Sequence, residues 1–311
     1  KPITGAQRKV VIASTIALSD GLNYKFSMKQ NYLSVSGPAE NQLRQLAYTE
    51  FGVSNNPNVL VCVHGVSRLS RDFDIFAEVM ADEYRVVCPD MAGRGESDWL
   101  DNAEDYSYPV YLHDVGALLV HIGATNVHWV GTSMGGLIGM MLGAAKESPI
   151  SRMVINDIGP VIPQSSLQRI SNYLATDKVF PDMAAAETYL RDVNGAFGPL
   201  TNDQWAHLAK HGFKPANDGT GFRLHYDPKI AESFKAGSEH DIVLWKFWDR
   251  ISCPVMVIRG RDSDLLIAET AEEMSNRGPK AEVHTLNGIG HAPTLMAEEQ
   301  VALVRNWLLK K

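Results

Sequence analysis

Apolar residues along this chain fall into short, almost unbroken runs separated by longer stretches of helical periodicity. Asn58-Val59-Leu60-Val61-Cys62-Val63, Tyr84-Arg85-Val86-Val87-Cys88, Val127-His128-Trp129-Val130, Met153-Val154-Ile155 and Pro254-Val255-Met256-Val257-Ile258 are such runs. Runs this short with no polar alternation are expected of parallel strands covered on both faces. Between the first two, Phe73, Ile75, Phe76 and Met80 suit a covering helix. Before the third, Tyr111, Leu112, Val115, Leu118, Leu119 and Ile122 recur at helical spacing until Gly123 stops them. Residues 31–35 and 43–48 alternate instead, with Ser36-Gly37-Pro38 between them, and predict an antiparallel start. A last strand over residues 281–286 precedes a helix bearing Val301, Val304 and Leu308. Strands alternating with helices in this way predict an α/β protein with a mostly parallel eight-stranded sheet covered by helices on both faces.

The alternation lapses between about Gly159 and Asp241, where helical patterns (166–174, 183–193, 203–209) occur with no strong strand. This segment reads as a helical cap inserted after the sixth strand. Its aromatic residues Tyr173, Phe180, Tyr189, Phe197, Trp205 and Phe213 are expected mainly to pack cap against core. The predicted organisation is an N-terminal arm over 1–27, an α/β core over 28–158 and 241–311, and the cap over 159–240.

Composition narrows the function classes. With 311 residues, 45% hydrophobic and 21% charged, the chain can bury a large core, and its net charge of −7 offers no basic footprint for nucleic acid. Cys62, Cys88 and Cys253 lie in or beside apolar runs and read as buried thiols, with neither a disulfide framework nor metal-ligand spacing. Val10 to Leu18, after Arg8 and Lys9, has the charge order of a secretion signal, but nine residues are too few to span a bilayer. It is expected to be an ordered arm of a cytoplasmic protein.

The candidate chemistry centres on Gly131-Thr132-Ser133-Met134-Gly135, which joins an apolar strand to the apolar run Leu137 to Leu142. G-x-S-x-G alone can be an ordinary turn; between a strand and a buried helix it holds a serine hydroxyl clear of the sheet as a nucleophile. A serine needs a base, and the base an orienting acid. In a parallel sheet these come from loops at the carboxyl ends of strands. His291, in Gly288-Ile289-Gly290-His291, is the best-placed base. The acid has three candidates: Asp264 and Asp262 after one strand, and Asp157 after another. Asp264 is favoured because it enters the apolar Leu265-Leu266, whereas Asp262 sits beside Arg261. The backbone N–H groups of Val66 and Met134 are expected to form an oxyanion hole. His64 and Arg68 are candidate substrate contacts, Arg68 for a substrate carboxylate. His207 and His211 have the i, i+4 spacing of metal ligands but no acidic partner motif, so no metal site is expected.

Taken in order, His64-Gly65, Asp90-Met91-Ala92-Gly93-Arg94-Gly95-Glu96-Ser97, Gly131 to Gly136, Asp264 and Gly290-His291 resemble the α/β-hydrolase superfamily in its capped serine esterase and C–C hydrolase branch. The resemblance covers about residues 28 to 311. It implies the order nucleophile, acid, histidine, a cap after the sixth strand, and cofactor-free hydrolysis through an acyl-enzyme. Ser133 at the elbow disfavours dehalogenases and epoxide hydrolases, which resemble this fold but use aspartate there. Relatives commonly carry the acid three residues after the strand-end glycine, where this chain has Ser263, and meta-cleavage C–C hydrolases often show asparagine and tryptophan where Thr132 and Ala292 stand. The expected function is hydrolysis of a small, partly apolar carboxylic ester. A lactonase or C–C hydrolase is the alternative, and a non-catalytic small-molecule receptor a third reading.

Overall fold

The computed structural model of the chain describes residues 28–39, 42–237 and 239–310. Its strands are β1 (Lys29–Ser36), β2 (Leu43–Phe51), β3 (Val59–Val63), β4 (Arg85–Pro89), β5 (Val127–Thr132), β6 (Ile150–Asn156), β7 (Val161–Ile162), β8 (Phe213–Pro215), β9 (Phe222–Leu224), β10 (Ile242–Val243), β11 (Val255–Gly260) and β12 (Glu282–Leu286). Eight of them form one sheet in the order β1-β2-β4-β3-β5-β6-β11-β12. β2 pairs antiparallel with β1 and β4, and every other pairing in the sheet is parallel. This is the predicted α/β architecture. The arm expected over residues 1–27 lies outside the described residues.

The unbroken apolar runs are explained by where successive side chains go. Val61, Val63, Val87, Trp129, Met153, Ile155 and Val257 belong to one buried cluster, with Val115 and Leu118 of α2 (Tyr108–His121, after the short α1 at Asp74–Met80) and Ile138 of α3 (Met134–Gly143). Their alternates Leu60, Cys62, Val86, Cys88, Val130, Val154, Met256 and Ile258 belong to a second, with Phe76 of α1. A strand whose two faces are both buried has no polar positions to spare.

After β6 the chain leaves the sheet and returns at β11. The excursion carries α4 (Gln164–Leu174), α5 (Met183–Val193), α6 (Asn202–Gly212), α7 (Lys229–Ala236) and α8 (Trp245–Trp248). The core is completed by α9 (Ala268–Asn276) and α10 (Glu298–Leu308), whose Val304 and Trp307 join the second cluster. Two short antiparallel pairs, β7 with β10 and β8 with β9, were not expected in the excursion. Pairs of two or three residues are too short to show a period of two. β7 and β10 lie near its two ends, so that Leu244 N–H also donates to Pro160 O at 2.6 Å. Of the six aromatic residues expected to pack there, Phe180, Trp205 and Phe213 are buried in a third cluster that includes Met296 of the core and against which Tyr189 and Phe197 pack, and Tyr173 packs against the first cluster.

Candidate active site

The turn from β5 into α3 is possible only because three of its residues lack a side chain. A Cβ on Gly131 would lie 2.2 Å from Gly135 O, one on Gly135 2.0 Å from Val63 O, and one on Gly136 2.5 Å from Ile158 Cγ2. Ser133 itself is held at φ 51°, ψ −114°, an arrangement that L residues rarely adopt. Its N–H donates to Asn156 O at 3.0 Å, which ties the turn to the end of β6. Asn156 is fully buried, and its amide donates to Thr132 Oγ1 (3.0 Å) and Pro293 O (2.7 Å), joining the loops that bear Ser133 and His291. Nothing in the residue pattern marked Asn156, because its role depends on the ends of β5 and β6 and the loop after β12 being brought together.

Ser133 Oγ lies 3.0 Å from His291 Nε2, and His291 Nδ1 lies 2.9 Å from Oδ2 of Asp157. The expected acid was Asp264; the structure brings Asp157 to His291 instead. The parallel register pairs Asn156 with Ile258, so the end of β6 lies beside the end of β11. Asp157 N–H donates to Ile258 O, and Gly260 N–H donates to Asp157 Oδ1, each at 2.8 Å. The carboxylate is fully buried, at φ 57°, a conformation aspartate tolerates better than most residues. Asp264 faces outward with 47% of its side chain exposed, and both its oxygens accept from Arg169 of α4 at 2.7 and 2.8 Å. Partial burial pushes the Asp264 carboxyl up, but the hydrogen bonds and charge of Arg169 outweigh it and hold it below the usual range. Leu265 and Leu266 are buried as their apolar character suggests, yet the buried residue before them is Ser263, whose Oγ accepts from both their N–H groups. Asp262 is exposed.

Val66, Ser133 and Met134 line one cavity of about 370 Å³. Met134 opens α3, so its N–H has no carbonyl one turn back. Val66 lies in the turn that Arg68 N–H closes onto Gly65 O at 3.1 Å, and a Cβ on Gly65 would stand 3.7 Å from that of Ser133. Val66 and Met134, whose N–H groups were expected to form the oxyanion hole, thus border the same cavity as the serine. The walls are largely apolar, with Leu137, Ile158 and Leu265 from the core and Ile162, Ile170 and Ile230 from the excursion. The cavity's aromatic rings come from Tyr106, Tyr108, Tyr111 and Phe234, of which Tyr111 alone had been named, as a position of the covering helix.

The two expected substrate contacts are engaged elsewhere. His64 is buried, with Nδ1 2.7 Å from Gly65 O and Nε2 accepting from Met91 N–H at 3.0 Å. Burial pushes its pKa down to about 3, so it stands as a neutral brace between β3 and the loop after β4. Arg68 donates from Nε and Nη2 to the two oxygens of Asp72, each at 2.7 Å, and borders a different, much smaller cavity. His207 and His211 do acquire an acidic neighbour, because α1 brings Asp74 to them with one ligand atom of each residue within 4.8 Å of the others. Arg71 already holds both oxygens of Asp74 through Nε at 3.0 and 2.7 Å, and His207 Nε2 lies 2.8 Å from Arg71 O, so two of the three groups are engaged within the protein. Cys62, Cys88 and Cys253 are free thiols, and no helix among the described residues is long and apolar enough to cross a membrane.

Comparisons with known proteins bear on the family and the fold. Residues 60–303 match the model of the alpha/beta hydrolase family. The chain is 41% identical over 268 residues to a 3-hydroxybutyrate-oligomer hydrolase from Cupriavidus necator, covering 84% of this chain and 92% of that protein. It is 23% identical over 234 residues to a 2-(acetamidomethylene)succinate hydrolase from Mesorhizobium japonicum, covering 75% and 81%. Among solved structures, an alpha/beta hydrolase from Novosphingobium aromaticivorans superposes with a TM-score of 0.79 at 34% identity, covering 90% of this chain and 98% of that one.

Proposed function

The chain belongs to the alpha/beta hydrolase family, and we propose that it is a serine hydrolase that cleaves short aliphatic hydroxyacid esters, of the kind that the name of the Cupriavidus relative describes, through an acyl-enzyme. The observation that carries this reading is the unbroken line Ser133 Oγ, His291, Asp157, with contacts of 3.0 and 2.9 Å, at the wall of an apolar cavity. Asp157 accepts a hydrogen bond from the Nδ1–H of His291 and leaves Nε2 free to take the Ser133 proton. As that proton moves, Ser133 Oγ bonds to the ester carbonyl carbon, and the oxygen that gains charge is met by the N–H groups of Val66 and Met134. Collapse breaks the bond to the alcohol oxygen, which takes the proton back from His291. A water then repeats the sequence on the acyl-serine and releases the acid. Residues 159–240, whose side chains supply part of the cavity wall, act as the cap that excludes bulk water.

The test is to follow monomer release from the dimer and trimer of 3-hydroxybutyrate by the wild-type protein and by Ser133→Ala. Turnover by the wild type and none by a variant with an unchanged circular dichroism spectrum is expected. A variant that retains full turnover would remove Ser133 from the reaction.

A further inference from the structure

The cavity beside Ser133 is lined by a buried cation whose hydrogen bonds are incomplete. Arg94 is 1% exposed and lines that cavity from the loop after β4. Its Nε donates to Val66 O at 2.9 Å, and its Nη1 donates to Ala92 O at 2.7 Å and to Tyr111 Oη at 2.8 Å. The contact of Nη2 is the thioether of Met134, 3.6 Å away, a weak acceptor for a group with two N–H bonds. The rings of Tyr106 and Tyr111 lie 5.7 and 5.2 Å from the guanidinium carbon. Among the described residues no carboxylate forms an ion pair with Arg94, whereas Arg44, which is 4% exposed, is paired with Asp114.

A guanidinium is a permanent cation, and burying one without an anion is costly. The loop nevertheless holds it firmly. Asp90 accepts from Ser70 N–H (2.7 Å) and Glu96 N–H (3.0 Å), and Gly95 N–H donates to His225 O (3.0 Å), so Arg94 cannot swing out to solvent without breaking that frame. The rest of the cavity wall consists of apolar side chains, tyrosines and serine hydroxyls, with no carboxylate among the described lining residues.

We propose that Arg94 receives an ionised carboxylate carried by the substrate, and that the protein therefore selects acid-bearing esters over neutral ones of the same shape. The proposal rests on Ser133 being the nucleophile. Arg94 touches both Val66 and Met134, so a carboxylate on Nη2 stands beside the oxyanion donors and within a few bonds of the scissile carbonyl. A 3-hydroxyacid ester meets that requirement, since its terminal carboxylate is attached two carbons from the last ester oxygen. Arg68, the arginine that the sequence pattern nominates for a carboxylate, is neutralised by Asp72 and lies outside this cavity.

The experiment compares kcat/KM, read as monomer release, for the 3-hydroxybutyrate dimer as the free acid and as its terminal primary amide. A neutral short-chain aryl ester is the third substrate, and the proteins are the wild type, Arg94→Gln and Arg94→Lys. The wild type is expected to favour the acid by on the order of 10- to 100-fold, as for a charged hydrogen-bonded pair in an apolar site. Arg94→Gln should abolish that preference, and Arg94→Lys should restore part of it. A loss common to all three substrates would report only the support that Arg94 gives Val66, so the acid-to-amide ratio is the readout. A wild type indifferent to the carboxylate, or an Arg94→Gln protein that keeps the preference, overturns the assignment while leaving ester hydrolysis standing. A folded wild type that cleaves none of the three substrates overturns the hydrolase reading itself. If Arg94→Gln does not fold, the wild-type ratio and its change in Arg94→Lys decide.

Discussion

Replacing Asp157 with asparagine gives a quantitative test of the acid, because the structure fixes how the new side chain would sit. Oδ1 of Asp157 accepts from Gly260 N–H and Oδ2 faces His291 Nδ1. A carboxamide would keep its oxygen on Gly260, since turning it over would set two donors against each other in a fully buried site. Its NH₂ must then point at His291 Nδ1, which becomes the acceptor. The imidazole proton moves to Nε2, and the ring can no longer take the Ser133 proton. In the serine-protease triad the corresponding change lowers kcat about 10⁴-fold, equivalent to about 5.5 kcal/mol of barrier. Asp264→Asn removes only a half-exposed ion pair with Arg169, and such pairs contribute at most about 1 kcal/mol. Both variants should be assayed with a short-chain aryl ester at fixed pH, after thermal melts confirm that each is folded. A loss of about 10⁴ in kcat for Asp157→Asn and less than about threefold for Asp264→Asn is expected. The reverse pattern, or a folded Asp157→Asn protein within about tenfold of wild type, would refute the assignment.

Other outcomes follow from the same geometry. Gly135→Ala, whose methyl would meet Val63 O at 2.0 Å, should cost about 3 kcal/mol and lower the melting temperature by about 5–10 °C, read by calorimetry. His64 has a folded-state pKa of about 3 against 6.5 for the free group, so between those values the unfolded chain binds a proton that the folded one refuses. Its contribution therefore destabilises progressively as pH falls from 6.5 towards 3, by about 1.4 kcal/mol per pH unit. The difference in unfolding free energy between wild type and His64→Gln should shift by about 2 kcal/mol between urea titrations at pH 7 and pH 5, and a pH-independent difference would show that His64 is not held neutral. Arg68→Gln should leave the acid-to-amide preference unchanged within about twofold, because Arg68 borders another cavity.

What could be read from the residues alone divides by how local its cause is. The sheet was legible because strands buried on both faces must be continuously apolar, and β3 is buried at all five positions. Ser133 was legible because the clearances at Gly131, Gly135 and Gly136 are set within a few residues of it. The choice between Asp157 and Asp264 was not, since it depends on the β6–β11 register and on Arg169 arriving from α4, 95 residues before its partner. The apolar Leu265-Leu266 was a true sign of burial, but the residue it buries is Ser263. Arg94 was visible as part of the run from Asp90 to Ser97, yet two of its four acceptors are backbone carbonyls, which leave no trace in residue type. The short pairs of the excursion were invisible for want of length.

Ser133 as a nucleophile activated by His291 can be tested without knowing the substrate. A fluorophosphonate reacts with an activated serine and leaves a stable phosphonyl adduct, which intact mass and peptide mapping locate. One adduct per chain is expected, on the peptide containing Ser133, with labelling slowed by orders of magnitude in His291→Ala, which removes the base 3.0 Å from the hydroxyl. A folded wild-type protein that takes no label, or takes it on a residue other than Ser133, would contradict the serine-hydrolase reading and favour a non-catalytic use of the cavity.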